Sequence, residues 1–117
     1  MSYYAEEYEC TLMIESDKAE LFKELAGVSG HSTTIEEVMA GIGFESYGES
    51  DGCYSFYWSR GNYGDHVATE LGMLAPAFNV GGYVAFIGED QCIWRLLVTE
   101  DGLIEQDGEV VYSSLRV

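Results

Sequence analysis

Positive charge is what this chain has least of. Its 117 residues carry five lysines and arginines against 21 aspartates and glutamates, a formal net charge of −16. Binding to DNA, RNA or an anionic membrane surface needs Lys and Arg to neutralise phosphates, so direct contact of that kind is disfavoured. Nucleophilic catalysis is poorly supplied as well. A Ser or Cys nucleophile needs a histidine in reach, and only His31 and His66 exist. His31 sits in a Gly-Ser-Thr loop. His66 falls in the first turn of a predicted helix, the end where the helix dipole disfavours an imidazolium. No Gly-x-Ser-x-Gly and no Cys-x-x-Cys occurs, so no catalytic residue is assigned and the chain is read as non-enzymatic.

Cysteine pairs at metal spacing are also missing. Cys10, Cys53 and Cys92 stand 43 and 39 positions apart, unlike the closely spaced ligand pairs of zinc sites. Each lies in an apolar or aromatic run, which predicts buried free thiols and a reducing compartment. Glu49-Ser50-Asp51-Gly52 and Glu100-Asp101-Gly102 place carboxylates in turns but do not match a twelve-residue calcium loop. Gly61-Asn62-Tyr63-Gly64-Asp65 lacks the third glycine and the lysine of a phosphate-binding loop. No metal and no cofactor is expected. The longest near-apolar run, Val80 to Gly88, is far shorter than the ~20 residues of a membrane span. No basic and apolar leader opens the chain, and a cytoplasmic location is expected.

What is present argues for a packed core. Hydrophobic content of 47% and aromatic content of 14% oppose disorder despite the charge, and the length suits one domain over residues 1–117. The strongest pattern is at the C-terminal end. Tyr83 to Ile87 and Ile93 to Val98 are β-branched and aromatic runs separated by the polar break Gly88 to Gln91. Asp101-Gly102 then turns the chain toward Glu109 to Tyr112, which reads as an antiparallel meander.

Upstream, Met1 to Glu7 reads as a loose lead-in and Tyr8 to Ile14 as a first strand. Asp17 as N-cap with Glu20 at N3 opens a helix carrying Leu21, Phe22 and Leu25. Thr33 to Glu37 holds a second capping-box pattern, followed by Ile35, Val38, Met39 and Ile42 at helical spacing. Phe44 to Tyr47 and Cys53 to Ser59 read as strands. Asp65 is a candidate N-cap for a third helix with the stripe Val67, Leu71, Leu74 and Phe78, which Pro76 closes or kinks. The order predicts an α+β fold, a ferredoxin-like βαββαβ antiparallel sheet with a C-terminal β-hairpin extension.

The arrangement of the acidic residues supplies the functional expectation. Asp17, Glu20 and Glu24 stand at i, i+3 and i+7 along the first helix. Glu100, Asp101, Glu105, Asp107 and Glu109 decorate the C-terminal hairpin, the last three at alternate positions. Alternate strand residues lie ~6.7 Å apart on one side, and helical neighbours at i+3 or i+4 about 5–6 Å apart. These spacings are comparable to those between successive phosphates of a nucleic acid. The eight residues are therefore candidate contacts for a basic nucleic-acid-binding protein, whose phosphate-binding Lys and Arg they would occupy.

The segments Gly88-Glu89-Asp90, Trp94-Arg95-Leu96 with Val98, Asp101-Gly102 and Val110-Val111-Tyr112 resemble the C-terminal part of small uncharacterised proteins of actinobacteria and their phages. That likeness covers the last 35 to 50 residues and implies no activity. In size and acidity the chain is similar to phage-encoded anti-CRISPR and other DNA-mimic inhibitors, which implies inhibition by protein–protein contact. Two other expectations remain open beside it. One is a small-ligand or catalytic domain with a pocket near Trp58, His66 and Trp94. The other is a homo-oligomer joined through a sheet edge.

Overall fold

A computed structural model describes residues 3–27 and 33–108. In chain order these form β1 (Tyr3–Cys10), β2 (Met13–Glu15), α1 (Ala19–Leu25), α2 (Ile35–Ile42), β3 (Phe44–Ser50), β4 (Cys53–Trp58), β5 (Asn62–Tyr63), α3 (Asp65–Leu74), β6 (Tyr83–Gly88), β7 (Ile93–Thr99) and β8 (Gly102–Gly108). The fold is α+β and its strands pair antiparallel. They make a five-stranded sheet in the order β5-β1-β6-β7-β8 and a three-stranded sheet in the order β2-β4-β3.

The N-terminal strand departs from expectation in two ways. It begins at Tyr3, so Tyr3 to Glu7 of the predicted lead-in is strand, held by Tyr3↔Tyr63, Ala5↔Gly88 and Glu6↔Ile87. It is also divided. At Thr11 the side-chain Oγ1 accepts the Tyr83 amide at 3.0 Å, and the Thr11 amide donates to the Tyr83 carbonyl at 2.7 Å. The ladder to β6 closes there, Leu12 turns into the core at 1% exposure, and Met13 to Glu15 pair instead with Ser55 to Cys53. A local side-chain bond thus takes over from the backbone ladder and lets the chain change sheets.

The helices follow the sequence more closely. Thr34 caps α2 with a complete capping box: its Oγ1 accepts the Glu37 amide at 3.1 Å, and Glu37 accepts the Thr34 amide at 2.9 Å. Ile35, Met39 and Ile42 are the buried face. The helix stops at Gly43, whose φ is +134° and whose missing Cβ leaves room for Trp58, 2.5 Å from where that atom would stand. Only glycine suits that conformation and that contact. Asp17, by contrast, is not an N-cap. Ser16–Lys18 form a 3-10 turn ahead of α1, with no side-chain capping bond. Asp65 is the first residue of α3 rather than its cap, which is Gly64. Val67, Leu71 and Leu74 are buried there, and Pro76 lies in a closing 3-10 turn before buried Phe78.

One core joins both sheets to the helices. Phe22, Met39, Phe44, Phe56, Phe86 and Leu71 are at or below 2% exposure within it. Trp58 sits at its centre, packed edge-on against Phe44 at 5.3 Å and Phe86 at 5.2 Å between ring centroids. Its Nε1 donates to the Ala5 carbonyl at 2.9 Å, so the indole's polar atom is satisfied inside the core.

Candidate functional site

The predicted acidic residues separate into two groups. Asp17, Glu20 and Glu24 are all exposed, on the 3-10 turn and α1. Glu100 and Asp101 are exposed in the turn between β7 and β8, where the Asp101 amide donates to Thr99 Oγ1 at 3.2 Å. Glu105 and Asp107 are exposed on β8 and stand opposite Leu96 and Trp94. Directly paired residues share a face, so both carboxylates point to the helix-covered side of the sheet. They lie at its margin, where β8 has no further strand partner among the described residues. Inward-pointing charge of this kind also blunts an edge strand against unwanted pairing. Glu109 lies outside the described residues.

Between the groups runs an open groove of about 620 Å³ lined by Glu15, Lys18, Phe78, Asn79, Val80 and Glu100, among others. It brings the 3-10 turn and the β7–β8 turn to one end of the molecule. Lys18 is its only basic lining residue.

The pocket expected near Trp58, His66 and Trp94 is filled by rings. Tyr63 lies 4.9 Å from Phe86 and 5.0 Å from Trp94, and Phe86 stacks on Trp94 at 5.4 Å. His66 is exposed at the start of α3, with Nε2 3.4 Å from the Ile42 carbonyl and 3.5 Å from Arg60 Nη1. It has no nucleophile beside it in either contact. Comparison with protein-family models, curated proteins and solved structures finds no match to this chain.

The thiols differ from the sequence reading too. Cys10 and Cys53 are half-buried, but Cys92 is exposed, because it belongs to the β6–β7 turn rather than to a strand. Burial pushes the Cys10 thiol up to about 12. The Cys92 thiol is also raised, chiefly by its bond to the Asp90 carboxylate. Both shifts oppose thiolate formation, the reverse of what a reactive cysteine needs. Among the described residues no group of three His, Cys, Asp or Glu side chains could hold a metal ion. Nor is any helix there long and apolar enough to cross a membrane.

Sequence reasoning overlooked a second surface, on the sheet face away from the helices. Register sets Glu9, Ala85, Arg95 and Gln106 in one row across β1, β6, β7 and β8. Arg95 Nε donates to Gln106 Oε1 at 2.7 Å, and its guanidinium carbon lies 5.0 Å from the centre of the Tyr83 ring. The Glu9 carboxylate beside the Tyr83 hydroxyl raises its pKa. Ala85 forms part of the wall of a shallow depression of about 460 Å³ between these groups. A lone arginine within an apolar strand was the only signal of this row in the sequence, and its partners follow from register alone.

Proposed function

We propose that this protein acts by binding a basic, nucleic-acid-binding protein and competing with its nucleic acid. The reading rests on charge: 21 acidic residues against five basic ones. Exposed carboxylates on ordered elements support it. Asp17 on the 3-10 turn and Glu20 and Glu24 on α1 are exposed, while Glu105 and Asp107 are two residues apart on one side of β8, about 6.7 Å along the strand. Glu100 and Asp101 lie in the β7–β8 turn, at the end of the molecule that the 3-10 turn shares. Each carboxylate would occupy a Lys or Arg that otherwise contacts phosphate. The chain itself catalyses nothing in this mechanism, and the DNA-mimic, anti-CRISPR-like class is the one its size and acidity fit.

The fold reading that accompanies it is ferredoxin-like. Counting β1 and β2 as one divided strand, the pairings run β6, β1/β2, β4, β3, an all-antiparallel order expected for a βαββαβ unit, with β7 and β8 added beside β6.

A tagged pull-down from host lysate tests the function, washed first at ~0.1 M and then ~0.5 M salt, across which charge screening changes strongly. The expected result is a nucleic-acid-binding protein that salt releases and DNA displaces. Partners indifferent to both treatments would return the acidic surface to a solubilising role. Replacing Glu105 and Asp107 together by lysine is expected to weaken that capture at least about tenfold while leaving the thermal unfolding midpoint nearly unchanged.

A further inference from the structure

We infer that the face of the five-stranded sheet left open among the described residues binds a second copy of this chain. The face is apolar along its middle. Tyr83, Ala85 and Ile87 alternate on β6, with Ile93 and Leu97 beside them on β7, on the side opposite the core residues Val84, Phe86, Trp94 and Leu96. Charges break the apolar area, and the placement of two of them identifies the occupant. Glu9 and Arg95 flank Ala85 in one cross-strand row, one strand to either side. Adjacent strands are about 4.8 Å apart, so each charge stands about that far from the line of β6.

A twofold axis lying in the interface, parallel to β6 and above Ala85, exchanges the two sides of that line. It sets Arg95 of each copy over Glu9 of the other and brings Tyr83, Ala85 and Ile87 against their own images. The alternative axis, across the strands, would set Arg95 on Arg95 and Glu9 on Glu9. The row is therefore self-complementary in one orientation only, as an isologous contact requires. Face-to-face sheets pack about 10 Å apart, within reach of an arginine and a glutamate from opposite sides. The depression at Ala85 gives the facing side chains room. Glu6, on the same strand and face opposite Ile87, is carried by the same axis over Ile93 of the other copy. The carboxylates of the proposed partner-binding surface, Glu105 and Asp107 among them, point to the other side of the sheet. Two copies joined this way keep those surfaces outward.

Light scattering and sedimentation on the purified protein test this without any heterologous partner, so its failure is separable from failure of the proposed function. The expected mass at about 0.1 mM, well above a micromolar dissociation constant, is twice the 13.0 kDa of the chain. Glu9→Arg sets Arg against Arg, Arg95→Glu sets Glu against Glu, and each is expected to weaken association at least about tenfold. Mixing the two variants restores both opposite-charge contacts, and a heterodimer should form where neither variant pairs with itself. A role within one chain cannot produce that rescue. Ala85→Glu, which places a carboxylate against its own image, supplies an independent reading should either reversal fail to fold. A wild-type protein that stays monomeric overturns the inference, as does a folded mixture that does not pair.

Discussion

The two faces of the five-stranded sheet are built from the same strands by opposite rules. On the helix side, Val84, Phe86, Trp94, Leu96 and Val98 are at most 9% exposed and interlock with rings from β4 and β5. On the far side, Tyr83, Ile87, Ile93, Arg95 and Leu97 are half-buried, and polar groups punctuate the apolar ones. The first face stabilises the monomer through close packing, where removed volume leaves a cavity. The second is only half-buried, so its side chains are less closely packed. Because side chains alternate along a strand, a slip of one residue would exchange the two sets. The buried aromatic cluster is what fixes the register that aligns Glu9 with Arg95.

Substitutions separate the two faces. The largest effect is expected for Phe86→Ala, which removes a ring in contact with Trp58, Tyr63 and Trp94. A loss of about 3–5 kcal/mol in denaturant unfolding is expected for a buried phenylalanine, and a loss near zero would mean that the cluster does not hold the sheets together. Ile104→Ser, on the far side at 44% exposure, should change stability by no more than about 0.5 kcal/mol. A large destabilisation there would erase the distinction between the faces.

The smallest effect concerns Tyr3, whose hydroxyl donates to the Asp90 carboxylate. That bond, with lesser contributions from burial and neighbouring charge, raises the phenol from 10.0 to about 12. The folded state keeps a proton that the unfolded chain loses near pH 10, so the contribution is fully present below that pH. It declines as pH rises through about 12. Following the unfolding midpoint across this alkaline window, Tyr3→Phe should show a shallower decline than the parent chain. Identical slopes would detach the tyrosine from the β6–β7 turn.

Where a signal was local, the sequence carried it. Trp94, Leu96 and Val98 alternate with Ile93, Arg95 and Leu97, and that period of two is the observed burial pattern of β7. Thr34 and Glu37 are three residues apart and make the capping box that their spacing implies. Asp17 has the same outward signature, yet a 3-10 turn forms there, and the Ser16 amide is taken by the Gly52 carbonyl at 2.8 Å. Tyr3 to Glu7 lacks an apolar rhythm, and its strand identity comes from Phe86, Ile87 and Gly88, about eighty positions away.

The amino-acid order alone therefore determined an acidic α+β protein, the alternating faces of β7 and the inner faces of its later helices; the predicted strand Glu109 to Tyr112 lies outside the described residues. Those properties depend on period, composition and neighbours within a turn. Tertiary structure decided which strands lie side by side, that the N-terminal strand divides at Thr11, and that rings close the space where a pocket was expected. It also decided that Glu105 and Asp107 share the helix side of the sheet while Glu9 and Arg95 share the other. Register is a property of paired strands, and no single strand contains it.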